Sequence, residues 1–370
     1  MQVNTVKDIV ELNNLSESAP LVEVRVDRLP LGLWRNALRV ASRAVSLGGQ
    51  IKVLGFKKDG FGFDCKLLKR WQIMKFIALN GIFANFTFEE EANSILLKKD
   101  KSVVPPDQLI SIAYVCSSNV KEAQILKTKL ETLNADADRL NANIEMLVFF
   151  SEKTSITESF RAIHRTTVYY ADVMEGRRIN ILRKKKEAFD EAHGGVLVVA
   201  HTRITMPVDQ LIRLARKDFD AAAPKVVYKE KGGPTRPYLD ALLLDGFSCW
   251  STKKKTLVCS SMALPYQYYL GNRVLSVDGG VIILRRDRIK INPFELGSAW
   301  GEAEDVDVSN YLDLSGYVVE YLSEIEFEST TNKLDFSDRG IRVVLDRVRL
   351  TAAILRDFWL KWRGSTVWPI

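Results

Sequence analysis

The stretch "SAWGEAEDVDVSNYLDLSGY", Ser298 to Tyr317, places four acids within six residues (Glu302, Glu304, Asp305 and Asp307) in a chain whose formal charge is +7. Grouped carboxylates can favour the positive end of a helix dipole. They can also hold a hard divalent cation, or take the proton of a reacting hydroxyl. Capping is the simplest reading of the acids alone. A complementary set lies upstream in "RKKKEAFDEAHGGVLVVAHTR", where Lys185 and Lys186 sit on a basic run and His201-Thr202-Arg203 close an apolar one. Lysine and arginine suit phosphate through charge-assisted bonds. By itself "RKKK" reads as a solvated helix face, and His201 is balanced between a structural residue and a ligand.

The elements that position these residues can be read from periodicity. "LISIAYVCSS", "NIEMLVFFSE" and "VLVVAHTR" are apolar runs that predict buried strands. "VKEAQILKTKLETLNA" and "EGRRINILRKKKEAFDEAHGG" predict the intervening helices. Apolar strands alternating with helices imply an α/β fold with a mixed, mostly parallel sheet covered on both faces. Ligands bind beyond the carboxyl ends of such strands, here the turn Cys116–Asn119, the pair Ser151-Glu152, and His201-Thr202-Arg203. The "DAD" of Asp136 to Asp138 precedes its strand, so it reads as a surface turn at the amino end of the sheet.

Residues 1–100 form a separate small α/β module. "PLVEVRVDRL" alternates as a strand; "WRNALRVASRAVSLGG" reads as a helix closed by a Gly pair acting as C-cap. "QIKVLGFK", a basic helix "CKLLKRWQIMKFIALNG", "FANFTFEE" and "SILLKK" follow. This order resembles the second half of a class I methyltransferase domain; the half with the Gly-rich donor loop is absent, which implies docking or scaffolding. The Pro-bearing "KKDKSVVPPDQ" predicts a linker, the next domain runs over 107–320, and 321–370 is a C-terminal extension. In that extension Ile341 to Trp362 predict an amphipathic helix suited to packing, to a homo-oligomer contact or to a membrane surface.

Over about 109–317 the chain resembles family 2 glycosyltransferases, which have the GT-A fold. Gly279-Gly280 lead into an apolar strand, then come Arg286-Asp287, Pro293-Phe294, Glu304-Asp305-Val306-Asp307-Val308-Ser309 and Gly316-Tyr317. Upstream, Lys185 and Lys186, Ala192-His193-Gly194 and Pro207 match the donor-side segment. The resemblance implies transfer of a sugar from a nucleotide-sugar donor, with inversion at the anomeric carbon. It assigns Asp305 as general base with Glu304 second, and Trp300 and Gly280 to the acceptor side. Tyr114, Ser117, Glu152, Lys185, Lys186, His201 and Arg203 fall on the donor side. The chain departs from the family at its metal motif, where Thr202 stands in place of an aspartate. A threonine hydroxyl is a poor ligand for a hard cation. Either His201 and other groups hold Mn²⁺ or Mg²⁺, or Arg203, Lys185 and Lys186 neutralise the diphosphate, with a weakened or absent cation requirement.

Composition bounds the rest. At 370 residues the chain can bury two cores. Its basic excess suggests an anionic partner: a nucleotide sugar, an anionic membrane face or nucleic acid. The acceptor is accordingly open between a glycan, a lipid-linked sugar and a modified nucleic acid, and a non-catalytic sugar-nucleotide scaffold is the other reading. Cys65, Cys116, Cys249 and Cys259 lack CxxC spacing and read as reduced thiols. "MQVNTVKDIVELNN" does not look like a secretory leader, so a cytoplasmic location is expected, with the inner membrane surface as a variant.

Overall fold

A computed structural model describes residues 1–4, 8, 11–12, 18–29, 33–57, 69–79, 83, 85–91, 93–100, 108–117, 119–171, 180–229, 235–237, 241–245, 257–259, 273–277, 279–289, 291–295, 305, 308–309, 311–312, 315 and 317–330. Trp300, Glu304 and the helix expected over 341–362 lie outside the described residues.

The N-terminal module is a five-stranded sheet. Its strands are β1 (Gln2–Val3), β2 (Ala19–Arg25), β3 (Val45–Leu54), β4 (Phe86–Glu90) and β5 (Ser94–Lys99), arranged β1-β2-β3-β5-β4. Helix α1 (Leu33–Ala44) connects β2 to its parallel neighbour β3, and α2 (Arg70–Leu79) follows β3. The structure corrects one expectation here. The Gly48-Gly49 pair is not a helix cap, because α1 stops at Ala44 and both glycines lie inside β3. Gly48 has φ 76°, a backbone conformation that glycine adopts without a steric penalty. Lys99 ends α1 instead: its buried Nζ donates to Ser42 O and Val45 O, each at 3.1 Å, satisfying carbonyls at the helix end.

The second part is the expected mixed α/β layer arrangement. Strands β6 (Ile110–Val115), β7 (Ile144–Phe150), β8 (Thr166–Tyr170), β9 (Val196–His201), β10 (Ile204–Thr205), β11 (Ala221–Lys229), β12 (Thr235–Pro237), β16 (Val281–Arg285) and β17 (Val319–Ser329) build one nine-stranded sheet in the order β10-β17-β11-β16-β9-β6-β7-β8, with β12 on β11. Strands β13 (Ala241–Asp245), β14 (Leu257–Cys259) and β15 (Arg273–Val277) make a small separate sheet. In the large sheet β6, β7, β8 and β9 are parallel, whereas β16 runs antiparallel to both β9 and β11.

Helices α3 (Val120–Arg139), α4 (Asn180–Glu191) and α5 (Val208–Ala215) cover this sheet. Successive strand residues face opposite sides, and the buried residues divide accordingly. Ile112 and Tyr114 pack with Leu126 and Leu130 of α3 and with Leu211 of α5. Ala113 and Val115 pack with Leu182, Ala188 and Phe189 of α4. Burial of each such leucine is worth about 1.5–3 kcal/mol. The "DAD" residues lie in the last turn of α3 rather than in a loop; Asp136 pairs with Arg139 and Asp138 with Arg165.

The two parts share one core. The apolar cluster containing Leu38 and Ala41 of α1 continues into Ala221, Ala223 and Val319 of the large sheet. Arg39 and Arg43 cross the same junction: Arg39 lies beside Asp220 and Glu320, while Arg43 bonds Glu320 at 2.7 Å and Asp218 O at 2.6 Å. Arg288 completes the lattice by pairing with Asp218 and Asp220.

Candidate functional site

In strand register, Val115 of β6 stands beside His201 of β9, and Ala200 stands opposite Val281. The carboxyl ends of β6, β7 and β9 therefore meet the amino end of the antiparallel β16 at one rim. Position 116 onward, Ser151-Glu152, His201 to Arg203, and Gly279-Gly280 all lie along it.

Asp305 reaches this rim from a helical segment that also includes Val308, Ser309, Tyr311 and Leu312. Its Oδ2 accepts the Gly279 amide at 2.8 Å. Ser309, fully buried, donates from Oγ to Asp305 O at 2.7 Å and accepts Val277 N at 3.2 Å. The start of the acid-bearing segment is thus tied to the turn before β16. Gly280 is buried, and its carbonyl accepts His201 N at 2.9 Å.

The basic run of α4 is placed differently from its expected role. Lys185 is completely buried, with Nζ donating to Gly279 O at 2.9 Å. Lys186 turns outward to Glu295 at 3.1 Å. Lys184, not singled out from sequence, lies at the rim: its Nζ donates to Cys116 O at 2.5 Å and to Ser151 Oγ at 2.7 Å, joining the ends of β6 and β7. Burial, partly offset by nearby groups including Glu122, lowers its ammonium pKa below the usual lysine range. The missed signal is positional: Lys184 is four residues before buried Ala188, and Lys185 lies on the Leu182–Phe189 stripe, so both fall on the apolar face of α4.

Among the residues that the resemblance assigns to the donor side, Thr202 does not face the rim. It is buried, and its hydroxyl donates to Glu122 of α3. Glu122 also accepts from Ser117, so one carboxylate holds the turns after β6 and β9 together. Asn119 caps α3 by accepting from Lys121 N and Glu122 N, which sets that carboxylate at the helix start. Lys129, two turns further along α3, donates to Thr202 O at 2.7 Å; burial lowers its pKa to about 8. Tyr114 is placed in the core, not in an open pocket. Its hydroxyl sits 3.5 Å from Ile204 O, and burial raises its pKa far above the usual tyrosine value. Glu152 is exposed beyond β7, where its carbonyl accepts from Thr157 Oγ1 at 3.3 Å.

His201 and Arg203, both half-buried, lie side by side at the rim, with an Arg203 guanidinium nitrogen 3.2 Å from His201 Nδ1. An arginine only donates, so Nδ1 is the acceptor and a neutral ring carries its proton on Nε2. A protonated Nε2, a Thr202 hydroxyl spent on Glu122 and an adjacent guanidinium do not fit a hard divalent cation, which needs several oxygen ligands. Among the described residues no group of three or more His, Cys, Asp or Glu is arranged to hold a metal.

No protein-family model and no curated protein sequence matches the chain. Solved structures similar to it include GalNAc-T7 with UDP, GalNAc and Mn²⁺, with a TM-score of 0.39 and 11% identity over 60% of this chain and 44% of that one. Another is the mannosyltransferase PcManGT from Pyrobaculum calidifontis in complex with GDP-Man and Mn²⁺, with a TM-score of 0.37 and 12% identity over 77% and 71%. A third is S. aureus TarS, with a TM-score of 0.37 and 16% identity over 60% of each chain. At these TM-scores the function has to be argued from the chain's own residues.

Proposed function

We propose that this chain is a glycosyltransferase moving a sugar from a nucleotide-sugar donor to an acceptor hydroxyl with inversion, Asp305 serving as general base. The observation that carries the reading is the placement of Asp305, through Gly279 and Gly280, on the same rim as His201 and Arg203. In the transfer, Asp305 takes the acceptor's hydroxyl proton as that oxygen forms a bond to the anomeric carbon. The bond from that carbon to the diphosphate oxygen breaks, and the nucleoside diphosphate leaves with the electron pair. A base needs a fixed direction within hydrogen-bond reach, which the Gly279 amide and the Ser309-anchored segment give Asp305. The leaving group needs positive charge in place beforehand. Arg203 is the candidate for that role, because a guanidinium matches two phosphate oxygens at once. Lys184 and Lys185 are occupied by internal carbonyls and support the rim from below.

The test is a panel of sugar nucleotides assayed by thermal shift and by nucleoside diphosphate release, with wild type and Asp305→Asn. A ligand of the native state raises the melting point by mass action. The expected outcome is retained donor binding with turnover lost in Asp305→Asn. A wild type that binds donor but transfers to no glycan, lipid-linked or nucleic-acid acceptor favours the scaffold reading; one that binds no sugar nucleotide rejects the assignment.

A further inference from the structure

The lysine expected to meet phosphate does something else. Lys185 lies wholly inside the protein and gives an Nζ proton to Gly279 O at 2.9 Å. The amide of the same glycine gives its proton to Asp305 Oδ2 at 2.8 Å. One residue therefore carries an ammonium on its carbonyl side and the candidate base on its amide side. Gly280 continues the chain of contacts to β9 by accepting the His201 amide at 2.9 Å.

Two physical points make this more than packing. A buried ammonium is costly unless its protons are taken, and a methionine of similar length would fill the space without that penalty. Glycine has the least intrinsic restraint of any residue, so a Gly-Gly turn that must hold a carboxylate in one direction needs restraint from outside. Lys185 supplies it from α4, and β9 supplies it at the next residue.

We propose that Lys185 is a positioning residue for Asp305, fixing Gly279 and through it the direction of the carboxylate that receives the acceptor's proton. This rests on the reading of Asp305 as the base. It reassigns Lys185 from donor binding to the acceptor half of the reaction, so its loss acts on turnover and leaves nucleotide affinity intact.

The full chain is compared as wild type, Lys185→Met and Lys185→Arg, with three readouts. These are amide hydrogen exchange at Gly279, binding of UDP and GDP by thermal shift, and steady-state transfer with whichever sugar nucleotide and acceptor the panel identifies. In Lys185→Met, exchange at Gly279 is expected to accelerate at least about tenfold and kcat to fall about a hundredfold. UDP or GDP affinity stays within about twofold, and Lys185→Arg recovers part of kcat. Unchanged exchange at Gly279 overturns the proposal, as does a loss of kcat accompanied by an equal loss of nucleotide affinity with no rescue by arginine. If the wild type binds and turns over no nucleotide, the transferase reading falls by itself, and exchange at Gly279 still decides whether Lys185 holds that turn. Should Lys185→Met not fold, Lys185→Gln carries the same three readouts.

Discussion

Arg39 of α1 and Asp220, just before β11, lie 3.5 Å apart with side chains 0% and 1% exposed. Glu320 and Asp218 approach the same pair of α1 arginines, and Arg288 comes in from the far side. Charges so far from water hold only while each has its counter-ion. Arg39→Met strands Asp220 and Glu320 with partial compensation from Arg43 and Arg288, and is expected to cost about 3 kcal/mol of stability. Urea melts of Arg39→Met, Asp220→Asn and the double variant check this. The double variant should be less damaged than the sum of the singles, and additive losses would show that the pair is not coupled.

The same lattice makes a pH prediction through Asp218. Burial alone would push its carboxyl up, but the guanidiniums of Arg39, Arg288 and Arg43 outweigh that and hold it below the usual range. A carboxyl whose folded pKa is depressed contributes stability above its unfolded value, about 3.9, and loses it as pH falls through the folded value. The stability difference between wild type and Asp218→Asn should be flat from about pH 7 to 5 and shrink below about pH 4. A difference that does not change in acid would contradict the assignment.

Lys129 predicts a slope of the same sign at the other end of the scale. Burial lowers its pKa to about 8, against about 10.4 in an unfolded chain. Between those values the unfolded state binds the proton and the folded state does not, so stability from this group rises with pH. Chemical denaturation between about pH 7.5 and 10.5 should show that rise in wild type relative to Lys129→Met. No relative drift would mean that the ammonium is better solvated than its contact with Thr202 O implies.

Glu122→Ala removes the shared acceptor of Ser117 and Thr202. With Thr202 buried, its unpaired hydroxyl should cost about 1–3 kcal/mol. Amide exchange should quicken in the turns after β6 and β9 and leave β7 unchanged. Exchange unchanged from wild type in these turns would show that Glu122 does not hold them together.

Nucleotide binding should be indifferent to divalent cations. UDP and GDP affinities with Mn²⁺, with Mg²⁺ and with EDTA are expected to agree within about twofold, and Arg203→Ala should weaken them at least tenfold, about 1.4 kcal/mol. A strong Mn²⁺ requirement in wild type would restore a metal site that the His201–Arg203 contact argues against.

The layer arrangement was legible because β6, β7 and β9 are predominantly apolar runs and α3 and α4 separate them at helical period. The carboxyl-end turns, and so the rim, followed from the parallel order. Facing directions were not legible. A lysine on an apolar stripe looks the same in sequence whether it escapes to water, as Lys186 does, or ends on a buried carbonyl, as Lys184 and Lys185 do. Thr202 matches a ligand position by its place in the motif, yet in the turn after β9 it is buried against Glu122 of α3, with His201 and Arg203 half-buried on either side of it. Glu122 was hidden in an ordinary helix start, three residues after its cap. The Gly48-Gly49 pair misled because a strand interior rarely carries two glycines, and the pattern fits a helix stop better.

Strand β16 runs against its neighbours, and this has a consequence for how such a protein can diversify. The turns after β6, β7 and β9 follow strands that arrive at the rim in one polarity, whereas the Asp305 segment is anchored where a strand of reverse polarity departs from it. Insertions after β6, β7 or β9 can therefore reshape that part of the rim without lengthening any backbone between Gly279 and β16.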